Sequence, residues 1–363
     1  MTDLTLDAPL TFPHGPTWAN RVALAPLTNT QSHPDGTLSD DEYHWLVARG
    51  LGAMGLTMTC ATYVVPVGQA WGGQLGISSD LHLPGLTRLA KGLRATGTIS
   101  SVQLHHGGRR ADPALSGRPN QCPWDDEKTG SVAMTTAEVH QSVADFVAAA
   151  VRAETAGFDG VEVHGAHGYL VCQFLDARHN DRSDQYGGSL ENRSRMLMEV
   201  VAGIRQATGN DFQVGLRLTP EGNGVTLADG VAVAEQVLAS GLLDYLDMSL
   251  WDVFMHPRGD TGDDERLLIE HFTALDRGET RLGVAGKVLS AADAAWCLDQ
   301  GADFVSVGMG AILHHDFAAL AIADAGFSAI EPPVTREHLV SQSLGQDFID
   351  YLAEGWDGLI SGD

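Results

Sequence analysis

Lysine is nearly missing from this 363-residue chain, occurring only at Lys91, Lys128 and Lys287. Arginine does not fill the gap: Lys and Arg total 22 against 47 Asp and Glu, a formal net charge of −25. Such a surface repels polyanions, which excludes nucleic acid as a partner and removes attraction to anionic membranes. Cysteine is sparse too. Cys60, Cys122, Cys172 and Cys297 are scattered, with no C-x-x-C pair, so neither a metal-cluster spacing nor a secreted disulfide framework is present. No apolar run approaches the ~18 residues of a membrane span, and the N-terminus lacks a basic stretch followed by an apolar one. A cytoplasmic location is the expectation. No G-x-G-x-x-G turn follows the first apolar run, which argues against a doubly wound dinucleotide fold.

What is present is a regular alternation. Short apolar runs bounded by turn residues predict eight strands: Arg21–Ala25, Gly55–Cys60, Ile99–Leu104, Gly160–His164, Gln213–Leu218, Tyr245–Ser249, Arg281–Ala285 and Phe304–Gly308. Amphipathic stretches lie between them, such as Glu138 to Ala156 and Ser189 to Thr208. Eight strand–helix units predict an α/β fold, a closed (β/α)8 TIM barrel. The expected organisation is a single domain over residues 1–363, with the barrel at about 20–320. Leu4 to Phe12 reads as an N-terminal hairpin turning at Asp7 to Pro9. Gly107 to Thr136 reads as an excursion after strand three. Residues 331–363 read as a C-terminal tail of one or two helices, which leaves room for packing against a second copy in a homo-oligomer.

Barrels of this kind carry their chemistry on loops at the carboxyl ends of the strands. Those ends hold Ala25-Pro26-Leu27-Thr28, Cys60-Ala61-Thr62, Gln103 to Arg109, His164 to Tyr169, Arg217, Gly286-Lys287 and Gly308-Met309. His164 and His167, three residues apart as the chain leaves a strand, can aim two N–H donors at one carbonyl oxygen. Tyr169 can supply a proton. Read from residues alone, the two histidines fit metal ligation as well, as in a metal-dependent barrel hydrolase. That reading needs further ligands, and no acidic one is evident at the ends of strands five, six or eight. Trp71 and Trp251, in loops after strands two and six, are candidate walls of a pocket. Cys60 reads as an inert small hydrophobe.

The run His164-Gly-Ala-His-Gly-Tyr-Leu170, followed by Gln173-Phe-Leu175 and Asn180 to Arg193, closely resembles the signature of the Old Yellow Enzyme family. Asn20-Arg21-Val22, Ala25 to Thr28, and Gln103 to Arg109 extend the resemblance, which spans roughly Asn20 to Phe317. It implies an FMN-dependent ene-reductase that takes hydride from NADH or NADPH. The hydride then passes to the β-carbon of an activated alkene: an enone, enal, nitroalkene or maleimide. It implies further that Ala25, Pro26, Leu27, Thr28 and Ala61 line the flavin, and that Gln103 meets its pyrimidine edge. Arg217 stands by the N1/O2 region as a cation favouring the reduced anion. His164 and His167 hold the activating oxygen of the substrate, and Tyr169 protonates the α-carbon. Iron–sulfur relatives of that family carry a cysteine cluster that this sequence lacks.

One departure stands out. The family's arginine after strand eight, which meets the FMN phosphate, is here Met309, following Gly308. The phosphate is then left to backbone N–H groups and to Lys287, following Gly286. A flavin-binding protein without turnover remains the other alternative.

Overall fold

Short β-rich runs with both faces covered need neighbours on each side, and closing them into a ring leaves no edge unpaired. In the computed structural model, which describes residues 4–259 and 264–361, eight of ten strands do this. They are β1 (Val22–Leu24), β2 (Leu56–Tyr63), β3 (Ile99–His105), β6 (Gly160–Gly165), β7 (Gln213–Leu218), β8 (Tyr245–Ser249), β9 (Arg281–Ala285) and β10 (Phe304–Val307). The closed order is β1-β10-β9-β8-β7-β6-β3-β2, with every pair parallel. The two remaining strands, β4 (Gln121–Cys122) and β5 (Val132–Ala133), make a small separate sheet inside the expected excursion.

Local chemistry sets the helix ends. Thr135 and Glu138 form a reciprocal capping box at the start of Thr136–Ala156, and Gly157 ends that helix at φ 94°. Ser189 caps Leu190–Ala207 by accepting from the Asn192 N–H. Strand β2 outruns its expected end because a bulge between Met58 and Ala61 shifts its register, and pairing with β3 then continues to Tyr63.

The expected N-terminal hairpin is not formed as read. The turn is there, with the Ala8 N–H donating to the Thr5 carbonyl (3.1 Å), but the antiparallel pairing joins Leu10 to Trp18. The reason lies in the barrel floor. Trp18 is fully buried and packs edge-to-face on Phe304 (centroids 4.9 Å) and Tyr245 (5.5 Å). Its indole N–H donates to Gln213 Oε1 at 3.0 Å. Pairing follows the residue that the floor anchors, and Pro9, lacking an N–H, cannot donate within the shorter loop. Glycines on neighbouring strands make the room: a Cβ at Gly215 or Gly283 would lie 2.1 Å from the ring of Tyr245 or Phe304.

The tail forms helices Arg336–Ser341 and Gln346–Gly355; its last two residues fall outside the described range. Arg49, fully buried, ties it to the barrel. Its guanidinium donates to the carbonyls of Ala311 (3.0 Å) and Gln342 (2.6 Å) and lies 3.2 Å from the Trp45 ring centre. Carbonyls at helix ends carry partial negative charge and can satisfy a cation without a carboxylate. No helix among the described residues is long and apolar enough to cross a membrane.

Trp18→Ala should lower stability by about 3–5 kcal/mol, as expected when a large aromatic leaves a packed cavity. Urea unfolding at unchanged slope reads this; a loss below ~1 kcal/mol would show that the floor collapses without the indole.

Candidate active site

The loops leaving the carboxyl ends of the strands enclose one cavity of about 650 Å³. Every site residue expected from the sequence lines it: Ala25, Pro26, Leu27, Thr28, Ala61, Gln103, His164, His167, Tyr169, Arg217, Gly286, Lys287, Gly308 and Met309. Trp71 and Trp251 line it too. Three non-glycine residues on its wall, His167, Trp251 and Lys287, adopt left-handed backbone at φ 60°, 66° and 51°. Each follows a different strand, and such conformations persist only where surrounding structure holds them.

The turn after β6 brings His167 back onto His164. The His167 backbone N–H donates to Thr219 Oγ1 (2.7 Å), and His164 Nε2 lies 3.1 Å from His167 Nδ1. His167 Nε2 in turn lies 2.8 Å from Ser249 Oγ, which accepts from Arg217 Nη2 at 3.3 Å. Arginine only donates, so a consistent chain runs from Arg217 to the Ser249 oxygen, then from the Ser249 hydroxyl to His167. His164 Nδ1, at the far end, is buried without a partner among the described residues. Burial, then the neighbouring rings and Arg217, holds His164 far below the usual histidine range; burial, Arg217 and Arg110 push His167 down to about 3. Both rings are neutral near pH 7 and present one N–H each.

Tyr169 sits against this pair, its ring 5.1 Å from that of His164 and 4.3 Å from that of His105. Burial raises its phenol, and Arg110 partly offsets the rise. His105 and His106 are buried behind the site. His105 Nδ1 meets Gln74 Nε2 at 3.1 Å, and His106 Nδ1 accepts from the Gly108 N–H at 3.0 Å.

Beneath lies a polar layer that the sequence reading missed. Gln103 donates to Glu162 Oε1 (2.8 Å), and Arg217 donates to Asp247 Oδ2 (3.0 Å), which also accepts from Ser306 (2.9 Å). Arg217 is therefore no free cation. Burial and the nearby Asp247 push Glu162 up to about 8, so it keeps its proton at neutral pH and the corner is close to neutral overall. Single acids within the apolar strands Val161-Glu162-Val163 and Leu246-Asp247-Met248 were the available signal. Also unforeseen were Arg110 and the tail residues Phe348, Tyr351, Leu352 and Trp356, which roof the cavity.

The cavity suits FMN. Ala25, Pro26, Leu27 and Ala61 offer an apolar wall for a planar ring. Arg217 Nε is buried without a partner, and the Gln103 amide oxygen takes no hydrogen bond from the described residues. These match a ring edge bearing both carbonyl oxygens and an N–H. At the opposite corner Gly308 leaves space, its missing Cβ meeting nothing closer than Leu27 at 3.5 Å. Lys287 is 68% exposed there and donates to Asp252 at 3.1 Å. Among the described residues no cluster of three His, Cys, Asp or Glu side chains is placed to hold a metal.

The model of the NADH:flavin oxidoreductase / NADH oxidase family matches residues 5–310. The chain is 35% identical over 311 residues to a probable NADH-dependent flavin oxidoreductase of Bacillus subtilis, covering 83% of each. It is 35% identical over 239 residues to an NADPH dehydrogenase of Bacillus licheniformis, covering 65% of this chain and 70% of that one. Among solved structures, morphinone reductase superposes with a TM-score of 0.78 at 28% identity, covering 99% of both chains. The resemblance to Old Yellow Enzyme, the barrel and a cavity fitted to FMN thus agree, and the chain belongs to the NADH:flavin oxidoreductase / NADH oxidase family, an oxidoreductase that uses FMN with NADH or NADPH.

Proposed function

We propose that this protein is an ene-reductase acting on small activated alkenes: enones, enals, nitroalkenes or maleimides. The observation that carries this reading is the pairing of His164 Nε2 and His167 Nδ1 at 3.1 Å, with Tyr169 against them on the wall of an FMN-sized cavity. Bound FMN supplies the redox chemistry, accepting hydride from NAD(P)H and delivering it to the β-carbon of the alkene.

The side chains do the rest. The two nitrogens are close enough to share one carbonyl oxygen, which would replace the bond between the rings as each turns its N–H toward it. Ser249, donating to His167 Nε2, keeps the proton of that ring on Nδ1. His164 takes the Nε2–H tautomer when the oxygen arrives. Two neutral donors stabilise the negative charge that builds on the oxygen without carrying charge themselves. Tyr169, its phenol held protonated by burial, donates to the α-carbon. Lys287, now paired with Asp252, and the backbone N–H groups at Gly308 and Met309 would hold the FMN phosphate.

Three outcomes follow. In anaerobic stopped-flow, Tyr169→Phe should slow enone-dependent re-oxidation about 10²–10⁴-fold while leaving reduction by NADH near the wild-type rate. Unchanged re-oxidation would remove Tyr169 from the mechanism. Above pH about 8 Glu162 loses its proton and the corner by Arg217 gains a negative charge. Flavin reduction by NADH should therefore slow as pH rises through that value, and Glu162→Gln should abolish the alkaline limb; a limb that persists would assign it to another group. Lys287→Ala should weaken FMN binding about fivefold, the scale of an exposed ion pair, and equal affinity by fluorescence titration would sink that role.

A further inference from the structure

Three cationic side chains line the cavity, and two are already committed. Arg217 is bonded to Asp247 at 3.0 Å and Lys287 to Asp252 at 3.1 Å. Arg110 meets no carboxylate among the described residues. Its neighbour Arg109, one position earlier in the same turn (Gly108–Arg110), donates to Asp126 at 2.5 Å. In a chain with 47 acidic residues, Arg110 is exposed at the wall of the active cavity and meets none of those described, so it is open to an incoming anion.

Arg110 is held in place by neutral partners. One Nη donates to the His167 carbonyl oxygen, and the guanidinium carbon lies 4.5 Å from the centre of the Tyr169 ring. A ring face and a carbonyl orient the planar fork without neutralising it. Of five N–H donors, one is spoken for, so a bidentate edge remains available for an oxyanion. Its charge reaches the chemistry as well, lowering both the Tyr169 phenol and the His167 imidazole.

We infer that Arg110 receives an oxyanion, carboxylate or phosphate, carried by a ligand of this site, so that the preferred ligand bears negative charge beyond its reacting group. For the alkene this rests on the ene-reductase reading. With the activating oxygen on His164 and His167 and the α-carbon at Tyr169, a substituent near that carbon lies within reach of the guanidinium stacked on the same tyrosine. For the nicotinamide donor the oxyanion is a phosphate.

The test has two arms, each a ratio, so that a general loss of active protein cancels. One compares kcat/KM for a carboxylate-bearing cyclohexenone with that for cyclohexenone. The other compares single-turnover flavin bleaching by NADH with bleaching by 1-benzyl-1,4-dihydronicotinamide, which lacks phosphates. Arg110→Gln should lower the anionic-to-neutral ratio about tenfold in at least one arm, the scale of one charge-assisted hydrogen bond. Arg110→Lys should retain part of it, and added salt should shrink it in the wild type. A fall in the alkene arm assigns a substrate carboxylate; a fall in the nucleotide arm assigns the donor phosphate. Ratios unchanged in both arms overturn the inference. If no enone re-oxidises the bleached wild-type flavin, the ene-reductase reading falls instead, and the nucleotide arm still decides the role of Arg110.

Discussion

The ion pair between Arg217 and Asp247 organises the active face of the barrel. It is buried, with both side chains almost wholly removed from water, so removing either partner would strand a charge at a cost of about 3–5 kcal/mol. Arg217 also reaches Ser249, Ser249 reaches His167, and His167 reaches His164. Arginine has no acceptor, so the first bond of this chain runs from the ion pair to the Ser249 oxygen, whose hydroxyl is then free to donate to His167. The adjacent strands β7 and β8 thus set the hydrogen-bond surroundings of His167, and through it those of His164.

The same barrel interior holds two unlike layers. At the floor, Trp18, Tyr245 and Phe304 fill space that glycines at 215 and 283 leave open. Above them sits the layer of Gln103, Glu162, Arg217 and Asp247. The aromatic floor keeps water from reaching the polar layer from below, which preserves the low dielectric that makes a proton stay on Glu162. Packing and acid–base behaviour are two results of one arrangement.

Much of this was legible from the residues in order. Strands β7, β8 and β9 begin and end where turn residues said they would, and the site residues at the strand ends converge on one cavity. What escaped were relations between strands. Asp247 neutralises Arg217 because parallel register sets them side by side on β8 and β7, and no local pattern encodes that register. Glu162 hid inside an apolar run, its inward direction defined only once β3 and β7 flank it. The hairpin was misplaced because its partner, Trp18, is chosen by rings from residues 245 and 304. The tail was legible as helices, but its place over the cavity depends on Arg49, far away in sequence.

That arginine has a consequence for anyone reshaping the molecule. One guanidinium fastens the carbonyl of Ala311, in the helix following Gly308, and the carbonyl of Gln342, in the tail. Trimming the chain after the barrel would therefore do more than unroof the cavity. It would strip one acceptor, the Gln342 carbonyl, from a guanidinium packed wholly inside the protein, and uncover the helix Asp40–Leu51 that carries it. The appendage and the barrel wall are a single mechanical unit, and a shortened version needs a neutral residue at position 49 before it can be a faithful one.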